Sequence, residues 1–180
     1  MDFKVRDCNC RDPRGTGKCQ YGGICRVPIV VYKITCTLTK KVYIGNTQQN
    51  FKKRMAGHFQ DVKRLMDKGE HSNSYAKHFA GIWPRGAAAP SPGMQRDLIE
   101  CQILWQGNPI SIVKTFGKST CGLCNRERME IVKLSRKTPD MIINSCSEIH
   151  GACRHKPRFH RFHEQKSQVL MSARSAKKLS

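Results

Sequence analysis

The segment that most constrains this chain runs from residue 29 to residue 68. IVVYKIT, at 29–35, is β-branched and aromatic and reads as a strand, and KVYIG, ending at Gly45, reads the same way. The short link between them predicts an antiparallel hairpin. A turn centred near Thr37 and Leu38 would set Tyr32 opposite Tyr43 on one face. A helix is predicted over 51–68, with Thr47 or Asn50 as N-cap and Lys68-Gly69 as its end. Phe51, Met55, Val62, Leu65 and Met66 form its apolar stripe. Arg54 and His58 stand four residues apart, so they project from one helical face. A basic surface helix accounts for Lys52 and Lys53, but it does not account for a tyrosine at the end of the preceding strand.

Further along, residues 75–82 suit a short second helix. PRGAAAPSPG, at 84–93, reads as an exposed loop. Residues 98–105 alternate as a strand does, with a shift in register, and 121–137 suit a third main helix. The order β-β-α-α-β-α indicates a small mixed α/β domain. Composition divides the chain into a Cys-rich segment at 1–27, an ordered domain at 28–163 and a basic, disordered tail at 164–180. No internal repeat is present. No apolar run approaches the roughly 18 residues of a membrane span, and MDFKVRDCNC lacks the apolar core of a secretory signal.

Thirty-three Lys and Arg face thirteen Asp and Glu, a formal net charge of +20. Such an excess favours a polyanionic partner, because neutralising phosphates releases counterions. The chain has ten cysteines. Without a secretory signal they point to metal ligation in a reducing compartment rather than to disulfides. Cys121, Cys124, Cys153 and His155 supply the ligand types of a tetrahedral zinc site, and their paired short spacings favour metal over isolated buried thiols. Cys8, Cys10, Cys19 and Cys25 make a second such set, in a segment too small to fold on its own core. Cys36 and Cys101 lie in predicted strands and suit buried apolar positions, with Cys146 left over. His71 and His78 flank the short second helix and read by default as surface residues. His160 and His163 are alternatives to His155 as ligand, or contacts for DNA backbone.

Phosphodiester hydrolysis needs a group that takes a proton from water, a cation on the phosphate and a metal at the leaving oxygen. Tyrosine, histidine and arginine in one cleft supply the first two. The plainer reading is a core tyrosine pair beside a solvated basic face. VVYKIT, KVYIGNT and FKKRMAGH, taken in order, resemble the GIY-YIG endonuclease signature: two tyrosine-bearing strands, then a helix with Arg-x3-His. The resemblance spans most of residues 28–145. CNRERMEIVKL adds a helical glutamate, Glu127, four residues before Ile131, and Asn144 follows. CNC-x8-C-x5-C, CGLC and CRH-x3-F further resemble the endonuclease domain of Penelope-like retrotransposons. One departure is Val30-Val31-Tyr32, where the family has glycine at the first position.

The resemblance implies a three-stranded antiparallel sheet flanked by helices, with zinc-stapled segments. It implies that Tyr32 activates or positions a water and that His58 helps accept its proton. Tyr43 would hold water or phosphate, and Arg54 would stabilise the pentavalent phosphate. Glu127, rather than Glu130, would bind one divalent cation, Mg²⁺ or Mn²⁺. It implies a nuclear role: nicking DNA so that a reverse transcriptase, acting with its RNA, primes from the free 3′ end. Nothing in the chain resembles a polymerase, so that partner is expected on an upstream part or another chain, and the short start suggests a fragment or a domesticated copy. Competing readings are a free-standing homing or repair nuclease of the same fold, a non-catalytic zinc-stabilised nucleic-acid-binding protein, and a structural RNA-binding protein.

Overall fold

β-Branched and aromatic side chains drive residues 30–47 into a hairpin of β1 (Val30–Cys36) and β2 (Val42–Thr47). Helices α1 (Phe51–Lys68), α2 (Ser74–Ala80) and α3 (Pro92–Asp97) come before β3 (Ile99–Gln106). Helices α4 (Gly122–Lys137) and α5 (Cys146–His150) follow. The architecture is that of a computed structural model, which describes residues 19, 21–69, 73–84, 86–112, 121–150 and 153. It is a mixed α/β fold around a three-stranded antiparallel sheet in the order β2-β1-β3.

The hairpin register differs from the expected one. Tyr32 lies opposite Gly45, and Tyr43 lies opposite Ile34. The loop at 37–40 closes between Cys36 and Lys41, with Lys40 in the left-handed region at φ 59°. The pairing is therefore two residues away from a tyrosine pair, and because side chains alternate with period two, both tyrosines stay on one face. The shifting alternation at 98–105 is a bulge: Val31 pairs with Trp105 and Tyr32 with Ile103, which leaves Leu104 without a cross-strand position.

α1 has the predicted bounds. Asn50 is its N-cap, accepting the backbone N–H of Lys53 at 2.8 Å. Gly69 closes it in the left-handed region at φ 64°, its N–H returning to the Leu65 carbonyl. Phe51, Met55 and Val62 are buried as expected, whereas Leu65 and Met66 are partly exposed, and Phe59 and His58 are buried beside the stripe. α3 was not expected: its first residues fall in the stretch read as loop. Ser91 caps it, Pro92 opens it, and Gln95 turns inward against the Phe59 and Pro90 carbonyls.

The sheet separates two cores. On one face Val30, Tyr32, Ile34, Cys36, Tyr43 and Ile103 pack on α1 and on Tyr75, Ala76 and Phe79 of α2. On the other, Val31, Val42 and Ile44 meet Leu123, Cys124 and Ile131 of α4. β2 is an edge strand, and residues 142–144 cover its open side. The Ile143 N–H bonds the Val42 carbonyl at 2.8 Å. Asn144 then uses its side-chain amide as a strand would use backbone, accepting from Ile44 N–H and donating to Ile44 C=O, both at 2.8 Å.

Candidate active site at the edge of the sheet

Gly45 makes the site possible by what it lacks. A Cβ there would sit 2.5 Å from the Tyr32 hydroxyl oxygen and 2.8 Å from the Tyr43 ring. The cross-strand position opposite Tyr32 is thus filled by the Tyr32 phenol itself, and any side chain at 45 would have to expel it.

The Tyr32 hydroxyl lies 2.7 Å from His58 Nε2 and accepts the Arg54 Nε–H at 3.0 Å. Both partners come from α1, whose 3.6-residue repeat stacks positions 54 and 58 on the side facing β1. Tyr32 and His58 are wholly buried, and Arg54 is partly exposed. Burial pushes the Tyr32 phenol up to about 12, the Arg54 charge and hydrogen bond offsetting part of the rise. Arg54 is held charged, chiefly by the Tyr32 oxygen beside it. Burial also raises Tyr43 well above its ordinary value, with contributions from Tyr32 and Glu148. Tyr43 packs edge-on against His58, and Tyr75 lies over the same imidazole with ring centroids 4.3 Å apart.

The carboxylates arrive around the β2 edge. Glu127 of α4 is half-buried and accepts the Asn46 amide at 2.5 Å, one residue beyond Gly45. Its charge reaches Tyr32 and Tyr43, raising both. Glu130 is turned elsewhere and is paired with Arg126 at 2.7 Å and Lys133 at 3.3 Å. A single partly exposed carboxylate beside an amide suits a Mg²⁺ or Mn²⁺ ion, which takes one or two protein oxygens and keeps several waters. Glu148 of α5 was not singled out from sequence. It accepts the Tyr43 hydroxyl at 3.3 Å. The readable signal was Ser145-x-x-Glu148, the pattern of a capping box, in which the Ser145 N–H meets Glu148 Oε2 at 2.8 Å. Tyr75 had no such signal, since its role depends on where α2 lands.

Behind the sheet, the sulfurs of Cys121, Cys124 and Cys153 lie within 4.8 Å of one another, all buried. Cys124 and Cys153 are 3.6 Å apart. Tetrahedral zinc with Zn–S bonds of about 2.3 Å spaces its sulfurs by about 3.8 Å, so the group fits such an ion as three of its ligands. His155 lies outside the described residues, as do Cys8, Cys10, His71, His160 and His163. Of the N-terminal set, Cys25 is buried and Cys19 half-buried, both against the tyrosine-side core. Cys36 is buried in that core, and burial lifts the Cys101 thiol to about 12, which keeps it neutral. His78 is half-buried, with Nε2 3.1 Å from the Thr39 hydroxyl and its ring edge-on to Phe79.

Buried phenols on β1 and β2, a charged arginine and an imidazole on α1 and a carboxylate beside β2 can together support proton transfer next to an anion. Residues 28–84 match the family model of the GIY-YIG catalytic domain, a stretch that includes Tyr32, Tyr43, Arg54 and His58. The segment is of GIY-YIG type, and a nuclease is the class of activity this supports. The match covers under a third of the chain, and Glu127, Asn144 and the cysteine cluster lie beyond it. No curated protein and no solved structure matches the chain. No helix among the described residues is long and apolar enough to cross a membrane.

Proposed function

We propose that the chain is a metal-dependent DNA endonuclease that hydrolyses one phosphodiester bond at a time. The observation that carries this reading is the Tyr32 hydroxyl held between His58 Nε2 and Arg54 Nε. A phenol raised to about 12 is ionised in only about one molecule in 10⁵ at neutral pH, so Tyr32 does not wait as a phenolate. It works instead as a relay: as the attacking water gives its proton to the Tyr32 oxygen, the phenol proton passes to His58 Nε2, the imidazole proton resting on Nδ1. Because Arg54 lies on the Tyr32 oxygen and is the partly exposed member of the trio, its movement toward a phosphate uncovers the hydroxyl for water. Arg54 then offers its terminal amino groups to the charge that builds on phosphorus. A divalent cation held by Glu127, Mg²⁺ or Mn²⁺, supplies charge at the leaving oxygen when bound. The net charge of +20 suits a DNA partner.

The finer reading is a nuclear nickase of a Penelope-like retroelement, supplying a 3′ end to a reverse transcriptase and its RNA. The cysteine blocks before β1, at the start of α4 and after α5 support it. They would hold two structural zinc ions, one on Cys8, Cys10, Cys19 and Cys25, the other on Cys121, Cys124, Cys153 and His155. On this reading the catalytic set is Tyr32, Tyr43, Arg54, His58 and Glu127. The test is conversion of supercoiled plasmid with Mg²⁺. Wild-type protein should yield open circles without linear product. Glu127→Ala should lose at least about 10²-fold in rate while retaining DNA affinity, since it removes a metal ligand and adds no negative charge. If neither protein cuts yet both bind DNA, the activity is wrong, and a zinc-stabilised binding protein replaces it.

A further inference from the structure

Glu148 lies beyond the residues that the nuclease reading uses, yet its two oxygens are treated differently. Oε2 accepts the Ser74 hydroxyl at 2.9 Å, the Ser145 N–H at 2.8 Å and the Asn144 amide at 3.3 Å, with the Ser145 hydroxyl at 3.5 Å. These donors belong to the start of α2, the segment that covers β2 and the cap of α5. One oxygen is therefore held from three directions, and the other, Oε1, takes the Tyr43 hydroxyl. A phenol has one proton to give. Once it is given to Glu148, the Tyr43 oxygen has only lone pairs to offer the cleft.

We propose that Glu148 is a positioning residue that commits the Tyr43 proton, so that Tyr43 holds the attacking water by accepting from it and does not bind the phosphate. This rests on the nuclease reading and refines it. An unengaged Tyr43 could donate to a phosphate oxygen or accept from water, and those two roles place the substrate differently. With its proton taken, a phosphate oxygen meets only repulsion from Tyr43, whereas water finds an acceptor across from the Tyr32 relay. Tyr43 and Tyr32 share one sheet face, and both rings close over Gly45; on this proposal a single water reached by both is oriented by Tyr43 and deprotonated through Tyr32.

Glu148→Gln tests this with little change of shape. The donors on Oε2 require the amide oxygen there, which turns the amide NH₂ toward Tyr43. The hydrogen bond inverts, and Tyr43 must release its proton into the cleft. Two readouts decide the matter. In the metal-free protein, the Tyr43 hydroxyl proton, identified by its loss in Tyr43→Phe, should resonate downfield beside the carboxylate and move upfield in Glu148→Gln. In plasmid nicking, Glu148→Gln should lower kcat by roughly 10- to 100-fold with DNA affinity unchanged, and should add nothing to the loss already caused by Tyr43→Phe. A resonance that does not move overturns the proposal, and so does a Glu148→Gln loss that multiplies with that of Tyr43→Phe. Nicking that is unchanged or faster in Glu148→Gln means that Tyr43 serves the phosphate. Wild-type protein that fails to nick removes the nuclease reading and the water-holding role with it, while the resonance still decides whether Glu148 holds the proton.

Discussion

On one face of the sheet, Tyr32, Tyr43, Tyr75, Phe51, Phe59 and Phe79 interlock with β-branched residues of β1 and with two helices. On the other, Val31, Val42, Ile44, Leu123 and Ile131 surround three cysteines, and α4 is the one long helix packed there among the described residues. The first face is stabilised by large buried rings, each removing much apolar surface from water. Among the described residues the second buries fewer side chains, and its helix begins at the cysteine cluster, with Cys121 as N-cap and Cys124 in the first turn. The catalytic candidates divide along the same line. The tyrosines, Arg54 and His58 belong to the aromatic face, whereas Glu127 is carried by the helix of the cysteine face. The difference teaches that the proposed proton relay and the proposed cation ligand are secured by separate means, so they should fail separately.

Removing metal should have the largest effect and fall on one side only. For an ion present at a thousand times its Kd, chelation costs about 4 kcal/mol of stability. In native-state hydrogen exchange the amides of α4 should lose protection first, while those of α1 keep most of theirs. Cys124→Ser should behave the same way and lower the bound zinc. Equal loss of protection in both helices, or unchanged zinc in Cys124→Ser, would break the distinction between the faces.

Alkaline pH should probe the aromatic face. Burial lifts Tyr32 from 10.0 to about 12, so the folded state holds the phenol proton more tightly than the unfolded state does. The stability this brings is full below about pH 10 and is lost as pH rises toward 12, by about 2–3 kcal/mol for Tyr32 alone. Tyr43 and Tyr75 are raised by burial as well and act in the same direction. Urea unfolding across that window should show the decline, and Tyr32→Phe should make it shallower. An equally steep decline in the variant would mean that Tyr32 is not the buried phenol responsible.

The smallest effect sharpens the view of the same core. Among the described residues, the buried Tyr75 hydroxyl has no hydrogen-bond partner. Deleting it in Tyr75→Phe removes an unmet polar group and keeps the ring against His58. Stability should rise by up to about 1 kcal/mol, read as a higher urea midpoint at unchanged m-value. A lower midpoint would show that the hydroxyl is bound to something in solution.

Much of this was legible before any tertiary structure. α1 could be bounded closely, because Gly69 suits a helix end and the apolar stripe stops before it, although Thr47 and Asn50 both suited its start and the fold chose Asn50. The strands were legible from β-branching, and Arg54 and His58 could be placed on one face from spacing alone. The hairpin pairing was not, because a loop without an Asn-Gly signal leaves register to the packing of Tyr32 over Gly45. α3 hid in a proline-bearing stretch, since six residues are too few to show a period. Glu148 was marked only by its capping pattern, which announces a helix start and says nothing of a tyrosine more than a hundred residues earlier.

By itself, then, the order of residues determined which segments are strands and helices, which side chains share a face, and that thiols and basic groups are in excess. Those properties follow from neighbours within a few positions along the chain. Only the tertiary structure decided that Gly45 receives the Tyr32 phenol, that Asn144 stands in for a strand against Ile44, and that Glu127 and Glu148 reach the tyrosines around the edge of β2. Each joins residues distant in sequence, and such contacts form only when cores on both faces of the sheet have closed around it.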